Sequence, residues 1–202
     1  MGLACVRGGR WVFDSVDFAV APGGALLLHG ANGSGKTSLL RIIAGFLAPA
    51  EGQLTWNGHP FDDEDHEPAR IAYVGHLDAV KRALSVAENL SFWADYYGAG
   101  QGDSENSVAE ALDRLGIGHL APVPARFLSA GQRRRLGLAR LLAAPASLWL
   151  LDEPTVTLDE ESIAIVEALI AEHRADGGMV MVATHAGMSI PEAGILTLGG
   201  PS

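Results

Sequence analysis

The stretch "LLLHGANGSGKTSLLRIIAG", residues 26–45, decides the fold of this chain. It begins within an apolar run bounded by glycines, residues 24–30, which is typical of a β-strand buried on both faces. Small and polar residues follow, and then an apolar pattern has helical spacing at Leu39, Leu40, Ile42, Ile43, Phe46 and Leu47. Pro49 lies just beyond the end of this predicted helix. The stretch therefore predicts a strand, a glycine-rich turn and a helix in direct succession.

The turn has the pattern of a phosphate-binding loop, with Gly30 followed after four residues by Gly35, Lys36 and Thr37. Glycines let backbone N–H groups curl around phosphate oxygens, and the helix N-terminus adds a favourable dipole. Lys36 is expected to pair with the β- and γ-phosphates, and Thr37 to hold Mg²⁺. The alternative is a glycine-rich turn with a surface lysine. The candidate nucleotide-binding residues are Gly30, Ala31, Asn32, Gly33, Ser34, Gly35, Lys36, Thr37 and Ser38.

A second candidate site follows the apolar run "SLWLLD", which predicts a buried strand that ends in Asp152. Asp152 can serve as a ligand of Mg²⁺ through water, and Glu153 directly after it can polarise an attacking water. An acidic residue at a strand end is often only solvated. The functional interpretation therefore depends on the phosphate-binding loop elsewhere in the chain.

Segments after the loop helix indicate further strands. Asn57-Gly58 in "EGQLTWNGHPF" predicts a hairpin of antiparallel strands. The acidic stretch "FDDEDHEPAR", residues 61–70, predicts a solvated loop, and "RIAYVGH", residues 70–76, predicts a return to strand.

Helices are predicted next. Ser85 with Glu88 and Ser107 with Glu110 have the spacing of capping boxes and predict two helix starts. "APVPAR", residues 121–126, contains two prolines and is expected to be extended.

The last third of the chain returns to alternating helix and strand patterns. A basic helix is predicted from Ser129 to about Ala144, with Pro145 after it. A helix over residues 159–174 and a strand in "GMVMVATH", residues 178–185, follow.

Together these elements predict one α/β domain over residues 1–202. Its core is expected over about 1–76 and 145–202, with a mainly parallel sheet and additional antiparallel strands. A helical subdomain over about 77–144 is inserted into this core.

Composition limits the function classes. The chain has 202 residues, of which 48% are hydrophobic, so it can bury a sizeable core. A formal net charge of -10 argues against nucleic acid as the main partner. Cys5 is the single cysteine, which excludes an internal disulfide and fits a reducing cytoplasm. The sequence predicts neither a secretory signal nor a membrane-spanning segment.

The stretch "LSAGQRRRLGLAR" begins the basic helix and distinguishes among nucleotide hydrolases. Its first five residues, Leu128, Ser129, Ala130, Gly131 and Gln132, resemble the LSGGQ signature of ATP-binding cassette (ABC) ATPases. A helix N-terminus offers free N–H groups and a positive dipole to an anion.

Three arginines, Arg133, Arg134 and Arg135, follow in the first turns of this helix, where the dipole disfavours cations. A nearby phosphate or acidic partner would explain their position. A solvated basic helix face is the alternative for at least one of them.

Two further motifs carry the same resemblance. "TVTLD" ends in Asp159, which matches the D-loop that this family places at the dimer interface. His185 in "VATHAG" matches the switch histidine, which the resemblance places beside the γ-phosphate and the attacking water.

The family resemblance covers nearly the whole chain and implies a P-loop NTPase fold of the ABC-ATPase type. It also implies that Mg²⁺ is the cofactor and ATP the substrate. The signature of one copy would contact ATP bound to a second copy, so the partner is another copy of this chain in a head-to-tail dimer. Hydrolysis would be catalysed by Glu153 and His185, and Mg²⁺ would be held by Thr37 and Asp152.

Two positions depart from the common family pattern. His76 stands where most members carry a glutamine that touches Mg²⁺, and an imidazole can also bind water or a metal. Arg7 stands where an aromatic residue usually stacks on adenine, with Trp11 a less well placed substitute.

These departures, together with the long run that ends in "LLDEPTVTLD", resemble the ATP-binding subunits of the Ccm haem exporters. The resemblance implies integral membrane permease subunits as partners, in cytochrome c maturation. It also implies a peripheral position at the cytoplasmic face of the bacterial inner membrane. Haem would be handled by the partners, because nothing in this chain resembles a haem site.

Three alternatives remain open from the sequence. The chain resembles, in all its hydrolysis motifs, the ATPase subunits of other ABC transporters. Non-transport ABC proteins that act on DNA or ribosomes commonly carry inserts or two cassettes, which this chain lacks. A phosphate-loop kinase would need neither the signature nor the D-loop match.

Overall fold

The computed structural model describes residues 2–61, 70–96, 104–143, 146–185 and 187–199. The strands are β1 Leu3–Arg7, β2 Arg10–Val16, β3 Ala25–His29, β4 Thr55–Trp56, β5 His59–Pro60, β6 Ile71–Val74, β7 Leu148–Asp152, β8 Met179–Ala183 and β9 Gly194–Thr197. The helices are α1 Lys36–Ile43, α2 Val86–Tyr96, α3 Ser104–Arg114, α4 Ala130–Ala143 and α5 Glu160–Ala175. Short 3₁₀ turns occupy Gly118–Leu120 and Ala125–Phe127.

A five-stranded parallel sheet forms the centre, in the order β6-β7-β8-β3-β9. Leu28 of β3 and Asp152 of β7 both lie beside Ala183 of β8. The carboxyl ends of these three strands therefore meet at one edge of the sheet. The α/β fold with a mainly parallel sheet is confirmed, and β3, β6, β7 and β8 form where apolar runs predicted strands.

Both faces of the sheet are covered. α1 packs on one face in a buried cluster that includes Leu39, Leu40 and Leu150. The other face shares a buried cluster with α2 to α5, which includes Leu90 and Leu151. Every residue of β7 is buried. This double covering is the reason that the central strands have continuous apolar runs instead of alternating ones.

Two antiparallel pairs lie beside the central sheet. The β4–β5 hairpin turns at Asn57 and Gly58, whose φ angles are 52° and 87°, and confirms the prediction from this dipeptide. The β1–β2 hairpin and strand β9 were not predicted. Strand β9 depends on β3, which is distant in the sequence. The β1–β2 hairpin turns at Gly8 and Gly9, with φ angles of 54° and 74°, a local signal that the sequence interpretation missed.

The loop helix α1 is shorter than its apolar pattern predicted. The helix ends at Ile43, and Gly45 follows with a left-handed φ of 75°. The Phe46 N–H then donates to the Arg41 carbonyl at 2.9 Å, and the Gly45 N–H to that of Ile42 at 3.1 Å. These two bonds form a Schellman motif, which terminates the helix. Assigning Phe46 and Leu47 to the helix was therefore wrong, although both positions continue its period.

Helices α2, α3 and α4 pack against one another in the segment that connects β6 to the neighbouring strand β7. The capping box at the start of α2 is confirmed, since Ser85 and Glu88 exchange hydrogen bonds of 2.7 and 3.2 Å. The capping box predicted at Ser107 is wrong, because α3 already begins at Ser104. Residues 144 and 145, at the predicted end of the basic helix, lie outside the described residues, as do residues 62–69 of the acidic loop.

His173 near the end of α5 lies flat against Trp149 of β7, with ring centroids 4.0 Å apart and an interplanar angle of 6°. It also packs against Gly178, where a Cβ atom would lie 2.2 Å from the imidazole Cε1. Burial lowers the pKa of His173 below its ordinary value of 6.5, although a backbone hydrogen bond at Met179 and the charge of Asp176 oppose the effect. The fold therefore favours the neutral imidazole.

We expect stability to depend on pH through His173. The unfolded chain protonates this group at higher pH than the folded chain, so the free energy of unfolding should fall as the pH drops through 6.5. The variant His173→Gln removes the titrating group and should flatten this part of the profile. Urea unfolding of both proteins between about pH 7.5 and 5.5 measures the difference. Parallel profiles would contradict the prediction.

Candidate functional site

A cleft of about 540 Å³ opens at the carboxyl edge of the central sheet. It is lined by Val12, Asn32, Gly33, Gly35, Lys36, Thr37, Ser38, His76, Asp152, Glu153, Val156 and His185. The cleft therefore brings together the two candidate sites that are more than 100 residues apart in the sequence. Val12 and Val156 are lining residues that sequence reasoning missed, since neither carries a chemical signal.

Two glycines of the phosphate-binding loop are required by the local geometry. Gly30 has a φ of 145°, and a Cβ atom there would lie 2.4 Å from the Leu198 carbonyl oxygen. Gly35 has a φ of 101°, and its Cβ would lie 2.6 Å from a ring carbon of Phe13. Both the backbone conformation and the close packing exclude a side chain at these positions. The loop is thus held between the residue after β9, the β1–β2 hairpin and α1.

Lys36, the first residue of α1, is nearly buried, and its ammonium is held across the loop. Its Nζ donates to the Gly30 carbonyl at 2.7 Å and to the Ala31 carbonyl at 3.1 Å. Ser34 is buried beneath the loop, and its hydroxyl has no hydrogen-bond partner among the described residues. Gly30, Ala31 and Ser34 thus form the frame of the loop without lining the cleft, whereas the other predicted loop residues line it.

The predicted metal ligands Thr37 and Asp152 are in direct contact. The Thr37 hydroxyl donates to Asp152 Oδ1 at 3.1 Å, and the Tyr73 hydroxyl lies 3.5 Å from Asp152 Oδ2. Burial raises the pKa of Tyr73, so its hydroxyl remains a donor. His76 lines the same cleft. Tyr73 was not predicted as a site residue.

The donor set fits Mg²⁺, because this ion prefers hard oxygen ligands and usually keeps water and substrate phosphates in its shell. Among the described residues, no group of three or more His, Cys, Asp or Glu side chains is arranged to hold a metal ion. Thr37 and Asp152 alone therefore do not form a closed metal site. A nucleotide's phosphate oxygens would have to complete it.

Glu153 and His185 lie together at the ends of β7 and β8. The Glu153 N–H donates to the Ala183 carbonyl at 2.7 Å, and Glu153 Oε2 accepts from the His185 backbone N–H at 3.2 Å. The His185 Nε2 is 3.8 Å from Glu153 Oε1. Glu153 has a left-handed φ of 51°, which is uncommon for a residue with a side chain. The tertiary structure therefore places the Glu153 carboxylate, on a strained backbone, beside a histidine.

The signature residues lie at the start of α4, away from the cleft of their own chain. Ser129 precedes the helix, and its backbone N–H donates to Gln132 Oε1 at 2.9 Å. The Gln132 N–H donates back to the Ser129 hydroxyl at 3.2 Å, which completes a capping box. The N–H groups of Ala130 and Gly131 stay outside the intrahelical pattern at this end. Leu128, just before the helix, is buried.

Asp159 is the N-cap of α5 and accepts from the Ser162 N–H at 2.9 Å. Hydrogen bonds from the hydroxyl and the backbone of Ser162 hold the pKa of Asp159 below its usual range. Gly131 of the signature approaches this segment, since its Cβ would lie 3.0 Å from the Thr157 carbonyl. The signature and the D-loop segment are therefore neighbours within one chain.

The three consecutive arginines at the start of α4 are all bound to protein groups. Arg133 donates to the Leu128 carbonyl, and Arg135 donates to that of Leu115 at 3.3 Å. Arg134 is buried and forms an ion pair at 3.1 Å with Asp78. The acidic partner expected for this cluster is therefore found for Arg134, and a solvated helix face does not describe that residue.

The two residues considered for adenine stacking, Arg7 and Trp11, are both exposed, and neither lines the cleft.

Comparisons with known proteins agree with this geometry. The ABC transporter family matches residues 13–156 of the 202-residue chain. The cytochrome c biogenesis ATP-binding export protein CcmA of Paramagnetospirillum magneticum is 55% identical over 192 residues, covering 95% of this chain and 88% of the relative. The protein of the same name from Rhodospirillum rubrum is also 55% identical, over 97% of this chain and 83% of its own length.

Solved structures share the fold. A protein from Pyrococcus furiosus described as an ABC transporter ATP-binding protein superposes with a TM-score of 0.82 at 27% identity, covering 98% of this chain and 94% of its own. An ATP-binding subunit of an ABC transporter superposes with a TM-score of 0.86 at 22% identity, covering 98% and 83%. Among the described residues, no helix is both long and apolar enough to span a membrane. The phosphate-binding cleft, the matching family and the 55% identical relatives together show that this chain belongs to the ABC transporter family, as an ATP-binding domain that hydrolyses ATP.

Proposed function

We propose that this chain is the ATP-hydrolysing subunit of a membrane export complex that handles haem in cytochrome c biogenesis. The proposal of ATP hydrolysis rests on one observation, that Lys36, Asp152, Glu153 and His185 line the same cleft. The assignment to cytochrome c biogenesis is supported by the relatives that are 55% identical and are named export proteins of that process. Haem as the cargo is supported by the sequence resemblance to Ccm haem exporters, and the partners would bind it.

The triphosphate of ATP would bind to the phosphate-binding loop. Gly33 and Gly35 line the cleft, where their backbone N–H groups would bind phosphate oxygens, and α1 adds the positive end of its dipole. Lys36 would exchange its bonds to the Gly30 and Ala31 carbonyls for β- and γ-phosphate oxygens. Mg²⁺ held by Thr37 and Asp152 would neutralise phosphate charge.

Hydrolysis would use the carboxylate and histidine at the ends of β7 and β8. A water oxygen attacks the γ-phosphorus, the bond to the β–γ bridging oxygen breaks, and ADP leaves with that electron pair. Glu153 accepts the proton of the attacking water, and inorganic phosphate is the second product. His185, only 3.8 Å from the Glu153 carboxylate, would hydrogen-bond a γ-phosphate oxygen and keep it in line.

A second copy of the chain would complete each site. The signature residues Leu128–Gln132 lie away from their own cleft, and Ala130 and Gly131 offer N–H groups at a helix N-terminus. In a head-to-tail dimer, Ser129 and these groups would reach the γ-phosphate of ATP in the other copy. Asp159, at the adjacent segment, would lie at the same interface. The core over about 1–76 and 145–202 and the helical subdomain over about 77–144 would move relative to each other as ATP closes the dimer.

An exposed aromatic groove supports a permease partner. This groove, of about 510 Å³, is lined by Ala44, Phe46, Ile71, Tyr73, Gly75, Leu77, Ala79, Phe92, Trp93, Tyr96 and Arg140. Phe46, Leu77 and Tyr96 are 69, 82 and 70% exposed. A patch of this kind is typical of a protein interaction site. We propose that a segment of an integral membrane permease docks here, which places the chain peripherally at the cytoplasmic face of the bacterial inner membrane.

The test is a mild-detergent pull-down of the tagged chain from its native membranes, with partners identified by mass spectrometry and haem by absorbance. Recovery of cytochrome c biogenesis membrane subunits is expected. Recovery of another permease would overturn the assignment of haem as the cargo and leave the assignment of ATP hydrolysis unchanged. The groove variant Leu77→Asp should lose the permease. Ile195→Asp, which alters a side chain that is 63% exposed outside the groove, should keep it.

A further inference from the structure

Arg134 on α4 makes an unusually complete set of contacts for a residue that does not itself line the cleft. Its side chain is only 3% exposed. All five N–H donors of its guanidinium group have an acceptor, two on Nη1, two on Nη2 and one on Nε. A buried arginine whose donors are all satisfied is held in one position, so the groups around it are held as well.

Three of these acceptors are consecutive backbone carbonyls, those of the last residue of β7 and of the two residues after it. Arg134 Nη2 donates to the Asp152 carbonyl at 2.9 Å and to the Glu153 carbonyl at 2.6 Å. The Nε donates to the Pro154 carbonyl at 3.0 Å. Glu153 lies at the centre of this turn with its left-handed φ of 51°. Such a conformation persists only where the surroundings hold it.

The remaining donors bind the segment after β6. Nη1 donates to the Gly75 carbonyl at 2.8 Å and to Asp78 Oδ1 at 3.1 Å. Gly75 and His76 line the groove and the cleft, respectively. One guanidinium group therefore joins α4, the segment after β6 and the turn that carries Glu153.

Two glycines on the same face of α4 allow this close approach. A Cβ atom at Gly131, three residues before Arg134, would lie 3.0 Å from the Thr157 carbonyl. A Cβ atom at Gly137, three residues after it, would lie 3.3 Å from the Asp78 carbonyl. Spacing of three residues places all three positions on one helix face. That face is built so that the guanidinium reaches the backbone of both neighbouring segments.

We propose that Arg134 is a positioning residue that fixes the turn over residues 152–154 and thereby aims the Glu153 carboxylate at the attacking water. The guanidinium supplies donors to the turn's three carbonyls, which would otherwise be free to rotate toward water. Its side chain does not line the cleft and reaches the cleft residues Asp152 and Glu153 only through their backbone carbonyls. We therefore expect its loss to change the orientation of Glu153 more than the contacts that bind the nucleotide. This inference rests on the proposed role of Glu153 as the base.

The first test compares steady-state ATPase kinetics of the purified complex with and without Arg134→Gln. Displacing a catalytic group by about 1 Å can cost about 100-fold, so kcat should fall by about 10- to 100-fold. The KM for ATP should change by less than about threefold, because the side chains that line the cleft are unchanged and Thr37 still holds the Asp152 carboxylate. Arg134→Lys keeps the charge but cannot reach all three carbonyls, so its kcat should lie between those of the wild type and Arg134→Gln. A loss confined to KM would overturn the inference.

Arg174→Gln is the matched control. Arg174 also donates to backbone carbonyls, those of Gly23 at 2.9 Å and Pro191 at 2.8 Å, and it lies outside the cleft. Loss of these bonds should lower the melting temperature with kcat unchanged. An equal loss of kcat in both variants would mean that losing the hydrogen bonds of any such arginine slows the enzyme. That result would overturn the inference.

A double-mutant cycle separates positioning of Glu153 from a general structural role. In the Glu153→Gln background, Arg134→Gln should lower the residual single-turnover rate by less than about threefold, because the group that Arg134 orients is already gone. If the rate reductions of the two single variants multiply in the double variant, the inference is overturned and the proposed function is unaffected. An unchanged rate in Glu153→Gln alone would overturn the proposed function itself. If Arg134→Gln does not fold, the same cycle is measured with Arg134→Lys.

Discussion

Replacing Glu153 by glutamine should slow ATP hydrolysis by about 100- to 10,000-fold, the contribution that a positioned general base makes. The amide cannot accept the water proton but keeps nearly the same shape. ATP binding should be retained, since the loop around Lys36 is untouched. The variant should therefore accumulate an ATP-bound dimer, because the closed state forms but does not hydrolyse its nucleotide.

Single-turnover hydrolysis and size-exclusion chromatography with MgATP measure the two consequences for Glu153→Gln separately. Glu110→Gln is the matched control, because this glutamate is exposed on α3 and does not line the cleft. It should hydrolyse ATP at the wild-type rate and show no ATP-dependent dimer beyond that of the wild type. Turnover by Glu153→Gln at the wild-type rate would remove Glu153 from its assigned role.

The second large effect is expected for Lys36→Ala. A hydrogen bond to a charged group contributes about 1.5 to 3 kcal/mol, so losing one such contact to phosphate should weaken ATP binding by about 10- to 150-fold. The bonds from Lys36 to the Gly30 and Ala31 carbonyls would be exchanged for phosphate oxygens on binding, so their absence in the variant does not add to this loss.

Titration calorimetry with ATP and Mg²⁺ measures the dissociation constant of Lys36→Ala. Lys81→Ala provides the comparison, since Lys81 is exposed and lies outside the cleft, and its ATP affinity should equal that of the wild type. Normal nucleotide binding by Lys36→Ala would contradict the assignment of the phosphate-binding loop.

Most of the local structure around the cleft was predictable from short segments. The buried strands that end at His29 and Asp152 are recognisable in the sequence as continuous apolar runs, because both of their faces are covered. The glycine pattern from Gly30 to Thr37 indicates a phosphate-binding loop. The structure shows close packing at Gly30 and Gly35 that only glycine fits. Such features depend on neighbours within a few residues.

Element boundaries were less predictable where two local signals compete. Phe46 continues the apolar period of α1, yet Gly45 terminates the helix by adopting a left-handed conformation. Ser107 and Glu110 have capping-box spacing, yet α3 starts at Ser104. A periodic pattern does not state which of its members lie inside the helix.

The sequence by itself determined the α/β class, the phosphate-binding loop and the acidic strand end, since each is encoded by the periodicity or spacing of adjacent residues. Only the tertiary structure decided that His185 lies 3.8 Å from Glu153, because parallel pairing brings the ends of β7 and β8 together. It likewise decided the contacts of Arg134, one of three consecutive arginines that are alike in the sequence. Helix geometry turns that one toward the carbonyls after β7, and no local pattern records where a helix face will pack.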